Sequence, residues 1–185
     1  GRRGNYMVYF PSYKYLQEVL PRFEAAAARN TLVMMQVPRM NERQKEQFLN
    51  VFNVANPETV VGFAVMGGIF GEGIDLVGER LGGAIVVGVG LPQIGLERDL
   101  IKGYYDDHEN AGFAYAYTYP GMNRVLQAAG RVIRSEADRG LLLLIDKRFS
   151  REDYVELYLP SWGAPKRTRN VEEIGEAVHV FWESP

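Results

Sequence analysis

The sequence predicts an α/β protein with a mainly parallel sheet and helices on both faces. Two observations carry this. Short apolar runs alternate along the chain with segments of helical spacing, and a parallel pair of strands needs a crossover between its members that a helix supplies. A length of 185 residues also suits one domain able to bury a full core without disulfide or metal staples.

Taken in order, Asn5 to Phe10 is an apolar and aromatic run closed by Pro11, which reads as a buried strand. Ser12 then stands at an N-cap position before Tyr15, Leu16, Val19, Leu20 and Phe23 at helical spacing. Satisfying free amides of that first turn is its ordinary role, and the same position can also hold a phosphate. Thr31 to Val37 is a second strand, and Asn41 to Phe52 a helix with Phe48, Val51 and Phe52 on one side. Val60 to Met66 is a third strand and opens into Gly67-Gly68-Ile69-Phe70-Gly71-Glu72-Gly73-Ile74-Asp75-Leu76. Ala84 to Val89 is a fourth strand and Asp99 to Asn110 a helix. Phe113 to Tyr119 fits either a strand or the approach to the next helix. Leu141 to Ile145 is the clearest strand of all, and Ser150 to Leu159 and Val171 to Trp182 are expected helices, separated by a surface loop over Pro160 to Arg169. No internal repeat or low-complexity tract interrupts this single-domain reading of residues 1–185.

Between these elements lies Gln127 to Arg134, Gln-Ala-Ala-Gly-Arg-Val-Ile-Arg. On a helix, Gln127, Arg131 and Arg134 fall at i, i+4 and i+7 and form one polar stripe, while Leu126, Ala129, Val132 and Ile133 turn away from it. Guanidinium groups keep their charge at any working pH and match the geometry of carboxylate or phosphate. The stripe is therefore a candidate phosphate-facing edge. A solvated helix face with ion pairs to Glu136 or Asp138 would carry the same residues, so the segment alone leaves both open.

Bulk composition removes several classes of function. With 46% hydrophobic and 24% charged residues, the chain has the makeup of a soluble globular protein, and no apolar run is long enough to span a bilayer. It contains no cysteine, which excludes disulfides, zinc-thiolate sites and a cysteine nucleophile, and suits a cytoplasmic location. His108 and His179 stand far apart, which argues against a metal site. A net charge of −2 gives no global attraction to nucleic acid, so any such contact must come from a local face. Gly1-Arg2-Arg3-Gly4 is neither an initiator methionine nor a signal peptide and reads as the start of a piece of a longer protein.

The Gly-rich stretch after Met66 follows a strand, where α/β sheets place ligand-binding loops. It is not a P-loop. Gly68 and Gly73 have GxxxxG spacing, but Ile74 and Asp75 stand where the Lys and Ser/Thr would be. No GxGxxG fingerprint and no GxSxG elbow are present, and the acidic pairs Asp106-Asp107 and Glu172-Glu173 sit in polar, helix-like surroundings. By itself the Gly-rich loop fits a structural turn that brings Asp75 to a helix start as well as it fits a ligand site. The chain carries half of something, an acidic Gly-rich loop and an Arg stripe, with no site that could bind a nucleotide by itself.

In order, Phe10-Pro11-Ser12-Tyr13, Gly71-Glu72-Gly73-Ile74-Asp75, Gln127 through Gly130-Arg131 to Arg134, and Asp146-Lys147-Arg148-Phe149 resemble the second helicase domain of the XPD/DinG-like superfamily 2 DNA helicases, matching motifs IV, V and VI. The resemblance covers about residues 5–160, leaving 161–185 as a C-terminal loop and helix. Tyr119-Pro120-Gly121-Met122-Asn123 looks closest to bacterial DinG-type members. The resemblance implies a RecA-like three-layer domain, a P-loop NTPase-type fold lacking its own P-loop. Such a domain closes over ATP and Mg2+ held mainly by a first RecA-like domain of the same protein. It implies Arg134 as the arginine finger with Arg131 beside it or holding the loop, and Gln127, Asp75, Glu72 and Gly73 at the ATP edge. Ser12, Tyr13 and Gly71 would contact the backbone of single-stranded DNA, which members move along 5′ to 3′. Walker A, the DEAH-type box and the iron-sulfur-ligating cysteines of many members belong to the first domain, and none is in this chain. The fragment alone is expected to be inactive. The alternatives are a non-catalytic RecA-like binding or scaffold module, and a self-contained Rossmann-type enzyme, which the missing phosphate fingerprint disfavours.

Overall fold

The computed structural model describes residues 2–71, 76, 80–132 and 139–183. Five strands, β1 (Asn5–Phe10), β2 (Thr31–Met35), β3 (Thr59–Val65), β4 (Gly83–Val87) and β5 (Leu141–Ile145), form one sheet in the order β2-β3-β1-β4-β5. Every pairing is parallel. The helices are α1 (Tyr13–Ala26), α2 (Glu42–Asn50), α3 (Leu96–Glu109), α4 (Tyr119–Ala129), the short α5 (Glu152–Val155) and α6 (Val171–Glu183). The α/β, RecA-like three-layer architecture expected from the sequence is the one observed.

The pleat explains the two cores. Side chains alternate across a strand, so Met7 and Tyr9 of β1, Val60 and Ala64 of β3, and Ala84 and Val86 of β4 share one face. There they meet Phe48 and Phe52 at the α2 end, Phe70 and Leu81, and Met122, Val125 and Ala128 of α4. Val8, Phe10, Val61 and Phe63 point the other way, against Leu16, Val19, Leu20 and Phe23 of α1. Burial on both faces is why these strands read as near-continuous apolar runs. Gly62 faces the first core, where an added Cβ would sit 2.5 Å from Phe52, 2.7 Å from Met7 and 3.0 Å from Phe48; the aromatic pair occupies the volume that a side chain would need.

Helix termini follow local chemistry. The Ser12 hydroxyl caps α1 by accepting from the Tyr15 amide at 3.2 Å. Asn41 and Gln44 form a reciprocal capping box on α2. α3 starts three residues before the expected Asp99 and ends on Asn110, which takes the left-handed conformation at φ 52°. The ambiguous Phe113 to Tyr119 stretch is a π-helix over Ala114–Thr118 running into α4. Pro120 has no N–H for the Ala116 carbonyl four residues back, and the wider winding, with Tyr119 N–H donating to the Ala114 carbonyl, accommodates that loss.

Two expectations are corrected. The helix carrying Gln127 was expected to run to Arg134, but α4 ends at Ala129 with Gly130 as its cap. The Arg131 and Val132 amides bond to carbonyls three residues back, Ala128 and Ala129, so the chain tightens out of α-geometry before Arg131. Gly130 is the physical reason, since it is a poor helix former with no side chain to hold the turn. The helix expected over Ser150 to Leu159 is a 3-10 turn over Lys147–Ser150 followed by the single turn of α5.

Candidate functional site

Because all five strands are parallel, their C-terminal ends line one edge of the sheet, and the motif-bearing loops meet there. The β1 end gives Pro11, Ser12 and Tyr13, the β3 end Gly67 to Gly71, the β4 end Gly88 to Gly90, and the β5 end Asp146 to Phe149.

Gln36, directly after β2 and only 2% exposed, ties two of these loops together. Its Oε1 accepts from the Val65 amide at 2.9 Å, and its Nε2 donates to the Tyr13 hydroxyl oxygen at 2.8 Å. A main-chain N–H can only donate, so it fixes which way the Gln36 amide faces and leaves the NH2 for Tyr13. Burial pushes the Tyr13 phenol above its ordinary range, against the opposing pull of the Gln36 donor, so the hydroxyl stays neutral at working pH. Tyr9 adds a second tie by donating its hydroxyl to the Phe70 carbonyl at 3.2 Å.

Arg124 of α4 performs the same service one strand over. Its Nη1 donates to the Gly90 carbonyl at 2.8 Å. Its Nε lies 3.1 Å from where a Cβ on Gly67 would be, a tight contact that a small shift of Arg124 would relieve, and Gly67 holds φ at +69°, the left-handed conformation that favours glycine there. Arg124 also opens, with Pro11, Pro92, Gln93, Leu96 and Arg98, onto a shallow cleft beside the Ser12 turn.

Of the site residues expected from the sequence, Ser12 and Gln127 are exposed, Tyr13 and Arg131 half-buried and Gly71 buried. Arg131 Nη2 donates to the Gly71 carbonyl at 3.3 Å, which brings the first arginine of the Gln127 to Arg134 segment onto the loop after β3. Arg134, Glu72, Gly73 and Asp75 lie outside the described residues. The Gly-rich turn uses its own amides: Gly68 N–H donates to Val65 and Gly71 N–H to Gly68. Those two donors are therefore not free to cradle a phosphate. At the β5 end Asp146 accepts from Arg148 Nε at 2.9 Å, from Nη2 at 2.7 Å and from the Arg148 amide at 2.9 Å. These hydrogen bonds hold the Asp146 carboxyl below the usual carboxylate range and raise the Arg148 guanidinium.

Gln36 and Arg124 escape the sequence reading. Arg124 carried a usable signal, since it precedes Gln127 by three residues on the same helical stripe. Gln36 carried none, because its partners lie 23 and 29 residues away.

Among the described residues no helix is long and apolar enough to cross a membrane. The family model for the helicase C-terminal domain matches residues 2–166. Regulator of telomere elongation helicase 1 of Bos taurus is 31% identical over 175 residues, covering 86% of this chain and 14% of its own length. The general transcription and DNA repair factor IIH helicase subunit XPD of Schizosaccharomyces pombe is 26% identical over 166 residues, covering 84% of this chain and 21% of its own. The chain thus spans about a fifth or less of the curated relatives it matches. A solved XPD helicase superposes with a TM-score of 0.66 at 22% identity over 89% of this chain and 28% of that one. The C-terminal domain of the DEAD-box protein Dbp5 does so with 0.54 at 10% identity, over 97% and 83%, which speaks for the fold. With its parallel sheet, its motif loops gathered on one edge and a domain model spanning most of its length, the chain belongs to the helicase C-terminal domain family, as the C-terminal RecA-like domain of an XPD-like superfamily 2 helicase.

Proposed function

We propose that this chain is the second motor domain of an ATP-dependent DNA helicase and supplies the trans-acting edge of an ATP site built mainly by the first RecA-like domain. The observation that carries the reading is the Arg131 to Gly71 hydrogen bond, which joins the arginine segment to the loop leading into Asp75. The Gly68 and Gly71 amides bond within the turn and take no part in a phosphate cradle, which suits a half-site. ATP with Mg2+, held by the first domain, supplies the phosphoryl group to be transferred. Arg134 faces its γ-phosphate, Arg131 fixes the loop and stands beside it, and Gln127, Glu72, Gly73 and Asp75 complete the edge. A guanidinium there offsets the charge that builds on the transferring group.

Ser12 and Tyr13 contact the backbone of single-stranded DNA, with Gln36 and Arg124 holding the loops in position. Gly71, expected at the same contact, is buried with its N–H bonded to Gly68 and its carbonyl to Arg131, and shapes the loop instead. Such contacts carry no base information, as an enzyme travelling over any sequence requires. Opening and closing of the two domains drives movement 5′ to 3′, and the Tyr119 to Asn123 segment aligns the parent with DinG-type members. An iron-sulfur cluster, where the parent has one, belongs to the first domain.

The test is ATP turnover with and without the upstream domain. The 185-residue chain alone is expected to show none, and the intact enzyme should lose on the order of 10³-fold in turnover on Arg131→Ala or Arg134→Ala, with little change in nucleotide affinity. Magnesium-dependent turnover by the isolated chain that survives Arg134→Ala would overturn the half-site. Normal turnover of both variants in the intact enzyme would favour the scaffold-module reading.

A further inference from the structure

α3 is 14 residues long and none of them is fully buried. Its inner side faces the π-helix, where the Tyr105 and Tyr115 rings stack at 3.7 Å. Its outer side exposes Leu96 at 76%, Leu100 at 66% and Tyr104 at 58%. These three lie at i, i+4 and i+8 and form one apolar seam. An added Cβ on Gly103 would meet nothing within 4 Å, so the helix backbone is open to close approach beside Leu100 and Tyr104.

The charges on this helix are sorted. A step of about 100° per residue sets Asp107 in line with Leu96 and Leu100, and Asp99 and Glu97 on the two flanks. Arg98 and Lys102 fall on the opposite half. Lys102 is paired to Asp106, which also accepts from the Gly112 amide, so those charges are engaged within the hairpin. His108 is bonded to the Tyr104 carbonyl. The seam is therefore apolar between acidic borders around Leu100, with the His108 ring stacked on Tyr104 at 4.2 Å at one end and Arg98 and Arg124 lining the cleft beyond Leu96 at the other.

We propose that the outer face of α3, Leu96, Leu100 and Tyr104 between Glu97, Asp99 and Asp107, is a docking surface for a basic amphipathic protein helix. An apolar strip laid along the seam buries the three side chains, and Lys or Arg on its margins meets the carboxylates. The acidic borders repel nucleic acid and anionic membranes. They also disfavour a second copy of the same face, because each acidic border would meet its like.

The probe is a fluorescein-labelled 18-residue peptide of Leu and Lys, with Leu at i, i+3 and i+4 spacing, titrated into the 185-residue chain by anisotropy. Saturable 1:1 binding is expected. Leu100→Asp should weaken it at least about tenfold, and the double variant Asp99→Lys, Asp107→Lys by about tenfold with loss of its salt dependence. The corresponding Leu and Glu peptide should not bind. Val171→Asp, at an equally exposed apolar position on α6, should leave affinity unchanged. Leu100→Asp and Val171→Asp sit at exposed positions and should leave the unfolding midpoint close to that of the parent chain. Asp99→Lys, in the first turn of α3 and beside Lys102, should lower it slightly while the variant stays folded. Equal binding of the Glu peptide, equal loss with Val171→Asp, or unchanged affinity in the charge-reversed double variant would overturn the proposal. So would a concentration-dependent dimer, or vesicle or oligonucleotide binding, abolished by Leu100→Asp. The readout is peptide binding rather than ATP turnover, so its failure leaves the motor reading untouched.

Discussion

The guanidinium of Arg131 donates to the carbonyl of Gly71 at 3.3 Å, across 60 positions of sequence. One side chain thereby joins the end of α4 to the loop after β3. Hydrogen bonds from charged donors contribute about 1.5–3 kcal/mol, so Arg131→Ala should lower the unfolding free energy of the isolated chain by an amount in that range. Urea unfolding measures it. An unchanged midpoint would show that the bond contributes nothing to stability.

Gln36→Leu strands the Val65 amide and the Tyr13 hydroxyl together. Leaving a buried donor unsatisfied costs about 1–3 kcal/mol. The same variant in the intact enzyme should also weaken single-stranded DNA binding, because the Ser12 and Tyr13 turn loses its anchor. Destabilisation with unaltered DNA affinity would remove Gln36 from the positioning role and leave it a core residue.

Ser12 has a local task and a proposed distant one, and two substitutions separate them. Ser12→Ala removes the cap of α1 and should cost about 1 kcal/mol, whereas Ser12→Asp keeps a good cap and should be nearly neutral for stability. If Ser12 faces a phosphate, the Asp variant should bind single-stranded DNA several-fold more weakly than the Ala variant, since it sets charge against charge. The opposite ranking in a filter-binding series would confine Ser12 to capping.

The Asp146 carboxyl is held below its ordinary range by its hydrogen bonds to Arg148, with burial opposing them. A folded-state pKa lower than the unfolded one gives stability that is full above the unfolded value of about 4 and is lost as pH falls through the folded value. Asp146→Asn should therefore destabilise the chain at pH 7 and flatten the acid limb of its stability curve. Urea midpoints from neutral pH down to strong acid for both proteins provide the comparison. Parallel curves would mean that the Asp146 and Arg148 pairing makes no net contribution.

The strands were legible because a parallel sheet covered on both faces needs unbroken apolar runs, and Met7 to Phe10 or Leu141 to Ile145 have no other ready use. Helix ends were harder. Periodicity carried the Gln127 segment straight through Gly130, whose lack of a side chain ends α4 there. Ser150 to Leu159 has helical composition, yet burial of Tyr154 fixes only one turn of it. Motif order located the candidate edge of the sheet, since the segments at Ser12, Gly71 and Asp146 follow β1, β3 and β5, while the Gln127 to Arg134 segment sits at the end of α4. The supports behind it depend on encounters between distant segments, so Gln36 and Arg124 both escaped the sequence reading, although Arg124 lies in phase with Gln127.

The π-helix over Ala114–Thr118 has a consequence for angular phase. It takes up one more residue per turn than α-geometry, so it sets the rotation of α4 relative to the α3 hairpin. Removing one residue from it would turn everything on one side by about 100° against the other. Either Arg124 and Gln127 would swing away from the loop edge, or Leu100 and Tyr104 would rotate toward the body of the domain. Pro120, which contacts no proposed ligand, thus fixes through its missing N–H the direction in which two separate surfaces point.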